Sequence, residues 1–228
     1  MSPSPVSGTD RRRIRRQATA IALAVSPFGV AFGVAAREAG LSLVEAVGFS
    51  VLVFTGSAQF AAVTVIGDGG TAAAAVSAGL LLNLRSLAFG VAMAPALVGS
   101  VWWRAGVSQL MIDESTAVAT AQATPRLRRY GYLAGGLAVF VAWNLATLLG
   151  ASVLSSSDSL ITNLGFDATI PATFLALLWG RLADRRQLVM AVVGAGLALA
   201  FVPITPAGIP ILIAGIAVVL ARPWENRE

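Results

Sequence analysis

Residues 46–67 read AVGFSVLVFTGSAQFAAVTVIG, and this stretch decides the class of fold because its 22 residues carry no charge. A helix needs about 20 apolar residues to cross the ~30 Å hydrocarbon core of a bilayer, so the stretch predicts a membrane span. Its centre is polar, however, because Thr55-Gly56-Ser57 and then Gln59 interrupt the apolar run. A glycine between two hydroxyl residues favours a helix break, which bilayer depth allows only where protein or a cavity surrounds the backbone.

Such a break predicts a solute site. A helix that restarts after Gly56 would point its first N–H groups at a cavity, an arrangement suited to a carboxylate. The alternative is that Gly56 and Ser57 are small residues that let helices pack closely. That alternative explains the small residues but leaves the amide of Gln59 unexplained.

The composition of the whole chain is typical of a membrane protein. Of 228 residues, 57% are hydrophobic and 12% are charged, with a mean hydropathy of +0.79, whereas an ordinary soluble domain is about 25% charged. So few charges cannot cover a soluble surface, which excludes the soluble globular class and disorder. The net charge of +5 does not indicate nucleic-acid binding, because the arginines end apolar stretches instead of lining one face.

The missing residue types exclude several chemistries. The chain has no Cys and no His, and all 16 basic residues are Arg. Disulfides, Cys or His metal ligands, Ser-His or Cys-His triads and lysine Schiff bases are therefore excluded. Gly56-Ser57 resembles part of a serine hydrolase site, but no usual general base accompanies it. We expect no enzymatic activity and no cofactor, since no nucleotide-binding motif is present either.

Further apolar runs predict the remaining helices. They are 17–36, 130–157, the shorter 168–180, the proline-punctuated 187–221, and 69–103, whose single charge is Arg85. We expect an all-α polytopic membrane bundle with six to eight crossings and with broken or half-length helices. The expected organisation is a disordered basic cytoplasmic tail over 1–16, one transmembrane permease domain over 17–222 and a short tail over 223–228.

Arginine clusters set the expected orientation. The clusters 11–16, 126–129 and 185–186 should remain cytoplasmic. The chain then crosses an even number of times between the first two clusters. The first two spans supply two crossings, so 70–125 crosses twice or not at all. We expect a multi-pass protein of the cell (inner) membrane with both termini cytoplasmic.

Asn83-Leu84-Arg85 places an arginine near the middle of an apolar run, which costs about 2.5–3.5 kcal/mol on insertion scales. If the run forms two short helices, Arg85 lies in a loop near an interface. If it forms one long helix, Arg85 lies inside the protein and needs a partner, which Asp113, Glu114 or a bound carboxylate would supply. We favour the inside position because no turn-forming Gly or Pro adjoins it.

Asp113 and Glu114 are neighbours in a segment that is too polar for a free-standing span. Adjacent helical residues point about 100° apart, so the two carboxylates would not share a proton as a dyad. We expect one to face Arg85 and the other to face water, and we regard both as candidate proton-coupling groups. The alternative is a solvated helix at the membrane interface.

These motifs, taken in order, resemble the AzlC family, the large subunits of branched-chain amino acid exporters. The resemblance runs from about Ser26 to Leu220. The matching pieces are Pro27-Phe28-Gly29 with Phe32-Gly33, Gly40-Leu41-Ser42, Val53-Phe54-Thr55-Gly56-Ser57-Ala58-Gln59-Phe60, Asn83-Leu84-Arg85, Asp113-Glu114-Ser115, Trp143-Asn144, Asp167 with Pro171-Ala172-Thr173-Phe174, and Pro206-Ala207-Gly208. The family usually has a His after Asn-Leu-Arg where this chain has Ser86, so no proton role for that His is carried over.

The resemblance implies an integral membrane permease subunit. Such a subunit pairs with a small four-helix AzlD-like membrane protein and exports branched-chain amino acids, sometimes methionine. We expect a proton-driven secondary exporter with Asp113 and Glu114 as coupling groups. The expected substrate-binding residues are Gly56, Ser57, Gln59, Phe60, Asn83 and Arg85. Two alternatives remain open, a non-transporting assembly or receptor subunit and a transporter of a different small solute.

Overall fold

The computed structural model describes residues 7–152, 175, 179, 182–206 and 209–215. The regular elements of these residues are helices. They are α1 (Gly8–Glu38), α2 (Leu43–Leu52), α3 (Ser57–Gly67), α4 (Ala72–Asn83), α5 (Arg85–Met93), α6 (Val101–Ser108), α7 (Asp113–Thr120), α8 (Pro125–Ser152), α9 (Arg185–Phe201) and α10 (Ile209–Ala214). The expected all-α class with short and broken helices is confirmed. Helices α1 and α8 are each long and apolar enough to cross a membrane. Helices α4 and α5 are long and apolar enough if the two count as one span, which is bent by 41°.

Helices α1 and α8 form the central seam of the fold and run parallel. Near the start of both helices, Arg13 donates to the Gln122 side chain at 2.9 Å. Farther along both, a Cβ on Gly33 would overlap the backbone at Thr147. Contacts that advance together along two helices mean that both point the same way. We call the end where α1 and α8 begin the near end, and the end where they finish the far end.

The near end carries two of the arginine clusters, and its first residues correct one expectation. Segment 8–16 was expected to be disordered, but it is the first part of α1. The Ser7 hydroxyl caps the helix by accepting from the Asp10 N–H at 3.2 Å, and Ile14 is fully buried. Arginine is a good helix former, so a charged run with one buried anchor continues the helix. Residues 1–6 lie outside the described residues.

Helices α2 and α3 form a hairpin that enters from the far end and returns to it. The Ser50 hydroxyl donates to Thr147 at 3.2 Å, and four residues later the Phe54 ring lies 5.0 Å from that of Phe140. Helix α2 therefore descends towards the near end. Helix α3 climbs back, because its last residue, Gly67, lies against Ala39 just beyond the end of α1. We call α2, α3 and residues 53–56 between them the far hairpin.

The far hairpin corrects the prediction of a span over 46–67. Helices of 10 and 11 residues reach about 15–16 Å, half the thickness of a hydrocarbon core. Gly56, at φ +31°, adopts a backbone conformation that residues with a side chain rarely take. The polar residues correctly indicated a break. Hydropathy counts the length of an apolar run but not its direction, so it missed the reversal.

The bent pair α4–α5 runs from the far end to the near end. Helix α4 packs antiparallel to α3, with Gly79 beside the Ala58 carbonyl. The axis then bends at Leu84, and α5 continues until Met93 is buried in a cluster with Tyr132 near the start of α8. Arg85 is the first residue of α5 and is half-buried at the bend. It therefore lies neither in a loop at an interface nor inside one unbroken helix, the two alternatives that the sequence left open.

Helices α6 and α7 form a second hairpin, which enters from the near end. The Trp103 ring lies 4.1 Å from the guanidinium of Arg129, and Leu110 then contacts Gly136, farther along α8. Helix α7 returns, because Val118 packs beside Gly131. Each helix has 8 residues. We call α6, α7 and residues 109–112 the near hairpin.

The last described helices follow the predicted proline break. Helix α9 ends at Phe201 and α10 begins at Ile209, and Gly215 beyond α10 lies against Leu81 of α4. The expected apolar helix over 168–180 falls almost entirely outside the described residues. The expected tail over 223–228 lies outside them completely.

The two hairpins predict which residues share one side of a membrane. The chain lacks cysteine, so single-cysteine variants can be labelled with a membrane-impermeant maleimide on right-side-out and inside-out vesicles. We expect Ser42→Cys and Asp68→Cys to react from one side, and Ser100→Cys and Thr124→Cys from the other. Thr9→Cys marks the near end as a reference. Labelling of positions 42 and 68 from opposite sides would contradict the far hairpin.

Candidate functional site

Three interruptions of helical structure meet beside the middle of α8. The Gln109 side chain, at the tip of the near hairpin, donates to the Val51 and Leu52 carbonyls at the end of α2, at 2.8 and 3.1 Å. Arg85, at the bend, contacts Asp113 at the start of α7. We call this meeting of residues 51–59, 83–86 and 109–115 the junction. It contains the site residues predicted from the sequence except Phe60, which follows it directly.

The depth of the junction follows from its contact with α8. A Cβ on Gly56 would lie 3.7 Å from Cη2 of Trp143. Trp143 stands at the centre of the uncharged run 130–157. The tip of the far hairpin therefore lies beside the middle of this uncharged run.

Gln59 lies within the first turn of α3 and is fully buried. Neither its Nε2 nor its Oε1 has a hydrogen-bond partner among the described residues. Leaving a buried amide unpaired costs about 1–3 kcal/mol per group. The prediction of Gln59 as a polar residue in an unfavourable place agrees with this burial.

Other buried polar atoms of the far hairpin and of α8 also lack a partner among the described residues. Within the described part of the chain, Thr55 Oγ1, Trp143 Nε1 and Asn144 Oδ1 are also buried without a partner. In the sequence, Trp143-Asn144 stands out only as one piece of the family resemblance. The signal that would have found them is an indole and an amide at the centre of the uncharged run 130–157.

Aromatic rings form one wall behind the hairpin tip. Phe60 is buried, and its ring lies edge-on to those of Phe32 and Trp143, with centroids 5.7 and 6.5 Å away. Phe54 packs similarly against Phe140. Phe60 was predicted to bind substrate directly. The structure places it in the aromatic core that holds Trp143 next to Gly56.

Arg85 and Asp113 form an ion pair, with Nη1 and Oδ2 2.6 Å apart and with 37% and 35% of the side chains exposed. Of the partners proposed for Arg85, the structure selects Asp113. Asn83 is engaged locally, because its side-chain oxygen accepts from the Ser86 hydroxyl at 2.6 Å. Ser86 therefore braces the bend.

Glu114 differs from Asp113 in its surroundings. It is half-buried on α7, which lies outside the helices long enough to cross a membrane. Burial raises the pKa of the Glu114 carboxyl above its ordinary value, since an apolar environment disfavours the charged form. Ser115 follows and fixes the tip of the near hairpin, donating to the Leu110 carbonyl at 2.6 Å.

The junction offers neutral hydrogen-bonding groups and one ion pair. Among the residues described, no three acidic side chains come together as a metal site would require. The donors and acceptors suit a small polar or zwitterionic solute, and the surrounding rings suit an apolar side chain.

Comparisons with known proteins agree with the architecture. A family model described as AzlC protein matches residues 20–156. A protein of Archaeoglobus fulgidus named "Uncharacterized membrane protein" is 30% identical over 206 residues, which cover 90% of this chain and 91% of that protein. Inner membrane protein YgaZ of Escherichia coli K12 is 25% identical over 219 residues, which cover 89% and 86%. No solved structure matches.

The ion pair predicts a specific pattern of stability. Arg85→Ala should destabilise the protein more than the double variant Arg85→Ala/Asp113→Ala, because the single change leaves a half-buried carboxylate uncompensated. Unfolding by SDS in mixed micelles should give a coupling energy of about 0.5–3 kcal/mol for the pair. Arg104→Ala, on the exposed face of α6, is the matched control and should change little. Strictly additive single effects would show that the contact contributes nothing.

Proposed function

Because this chain belongs to the AzlC family, we propose that it is a membrane permease subunit that exports branched-chain amino acids. The observation that carries the proposal is the set of unpaired, buried polar atoms of Thr55, Gln59 and Trp143 at a helix break. Polar groups left unpaired deep in an apolar protein indicate a site that a solute or water completes. An enzymatic role has no comparable support, since the junction offers no nucleophile paired with a base.

We place the protein in the bilayer with its near end in the cytoplasm, since the arginine clusters of α1 and α8 lie there. Helix α1, the pair α4–α5 and α8 each cross once, while both hairpins re-enter. The described helices thus supply three of the six to eight predicted crossings. The inner-membrane name of the relative YgaZ supports the cell membrane as the location.

An apolar amino acid fits the chemistry of the junction. Its carboxylate needs hydrogen-bond donors, which the start of α3 provides. Its ammonium needs acceptors, which Gln59 Oε1 and Asn144 Oδ1 provide. Its branched side chain needs apolar contact, which the rings of Phe54 and Trp143 provide. The family resemblance, together with this fit, supports branched-chain amino acids over other solutes.

We assign proton coupling to Glu114 with Asp113. Asp113 already pairs with Arg85, so Glu114 is the better carrier, because its raised pKa brings its protonation closer to physiological pH. The two carboxylates lie at the tip of the near hairpin, which faces the cytoplasmic half in this arrangement. Uptake or release of a proton there would change the charge beside the ion pair.

A small AzlD-like membrane subunit completes the proposed exporter. Helix α9 has 17 residues, most of them apolar, and none of them is fully buried. A partner helix would cover such a face, which supports the assembly that the family resemblance implies.

Counterflow of radiolabelled leucine in proteoliposomes tests the function, with the full chain reconstituted with and without the small subunit. We expect uptake into leucine-loaded vesicles and additional net flux under an imposed pH gradient. Glu114→Gln should remove the gradient-driven flux and leave exchange intact. Asp68→Asn, an exposed carboxylate at the end of α3, is the matched control.

Absence of leucine, isoleucine and valine movement in both preparations would contradict amino acid export and favour another solute or an assembly role. Gradient-driven flux that survives Glu114→Gln would remove Glu114 from the coupling mechanism.

A further inference from the structure

We infer that the substrate carboxylate binds at the start of α3, to neutral donors, and that Arg85 does not bind it. The inference rests on the proposed transport of amino acids and assigns one end of the substrate to one place. It separates two parts of the junction, a neutral site at the far hairpin and an ion pair at the near hairpin.

Arg85 already pairs with Asp113, while its Nε and Asp113 Oδ1 are buried without a further partner among the described residues. Its Nη1 lies 2.6 Å from Asp113 Oδ2, so a substrate carboxylate there would compete with a carboxylate that is tethered in place. The pair is electrically neutral, and it joins the bend of α4–α5 to the tip of the near hairpin. Arg85 is therefore a positioning residue that holds the junction together.

The start of α3, in contrast, carries no charged side chain, and no side chain caps it. The Ala58 N–H donates to the Thr55 carbonyl at 3.0 Å. The N–H groups of Ser57 and Gln59 in the same first turn have no acceptor within the helix. They carry the positive end of the helix dipole, which favours an anion. Gly56, at φ +31°, turns the chain so that no Cβ covers this end.

A second observation points to a ligand at the same place. Gln59 is fully buried, and both of its side-chain polar atoms are unpaired, as are Thr55 Oγ1 and Trp143 Nε1. The amide, the hydroxyl and the indole each offer an N–H or O–H. Together with the helix end they would satisfy a carboxylate without a cationic side chain, while Gln59 Oε1 remains to accept from the ammonium.

The substrate class follows from this arrangement. The site suits an α-amino acid with an uncharged, apolar side chain, because the nearby wall is aromatic and the donors are neutral. An amino acid amide lacks the negative charge that the helix end favours, and should bind poorly.

Equilibrium binding to the full chain in lipid nanodiscs tests the assignment, with leucine and leucinamide as probes. We expect wild type to bind leucine at least about tenfold more tightly than leucinamide. Gln59→Glu keeps the shape but adds negative charge, and should weaken leucine binding at least about tenfold while leaving leucinamide binding unchanged or stronger. Thr64→Val is the matched control, because Thr64 also has a buried, unpaired hydroxyl on α3 but lies farther from its start.

Two further variants keep the test decisive if Gln59→Glu fails to fold. Thr55→Val removes one donor and should weaken leucine binding severalfold without affecting leucinamide. Arg85→Gln/Asp113→Asn removes both charges and should leave the leucine affinity within about threefold. Unchanged leucine affinity in Thr55→Val and Gln59→Glu, with a large loss in the Arg85 variant, would overturn the inference.

The outcomes separate this inference from the proposed function. Leucine transport with no effect at Gln59 or Thr55 overturns the inference and leaves the function standing. Binding of another amino acid with the Gln59 pattern supports the inference and overturns the branched-chain assignment. Failure of every amino acid to bind overturns both.

Discussion

Backbone N–H and C=O groups cannot remain unpaired in hydrocarbon, and this constraint governs the whole arrangement. A helix break at mid-depth is tolerated only where protein or a cavity surrounds the backbone. The parallel seam of α1 and α8 supplies that shelter, because glycines such as Gly33 and Gly150 bring the two backbones into direct contact. The free carbonyls at the end of α2 are then satisfied by Gln109 from the opposite hairpin. The near hairpin thus contacts both of the other helix interruptions, the end of α2 through Gln109 and the bend of α4–α5 through Asp113.

The sequence predicted the chemistry of the junction better than its topology. Gln59 and Arg85 were identifiable because each is expensive in an apolar run, and burial cost is a property of the residue itself. Gly56 was identifiable because a glycine between two hydroxyl residues favours a helix break. The paths of the two hairpins were not identifiable, because a run of 22 uncharged residues fits one crossing as well as two half-crossings. Only tertiary contacts, such as Gly67 against Ala39, distinguish them.

The near hairpin shows a second limit of sequence reasoning. Its helices carry Arg104, Asp113 and Glu114, so hydropathy indicated an interfacial helix or one shielded by protein. The structure supports the second choice, because Gly131, Gly135 and Gly136 of α8 accommodate α7 at close range. A glycine pattern in one helix thus explains why a polar segment elsewhere is buried. The pattern becomes informative only when the two segments are known to meet.

The central claim is that the tips of two hairpins, entering from opposite ends, meet beside the middle of α8. Cross-linking in native membranes tests it most directly, with cysteines replacing Leu52 and Gln109 in the cysteine-free chain and a short membrane-permeant bis-maleimide as reagent. The account predicts an intramolecular link between these two positions, seen as joined peptides by mass spectrometry, and none between positions 52 and 124. Two reactive cysteines at 52 and 109 that never become linked would contradict the account.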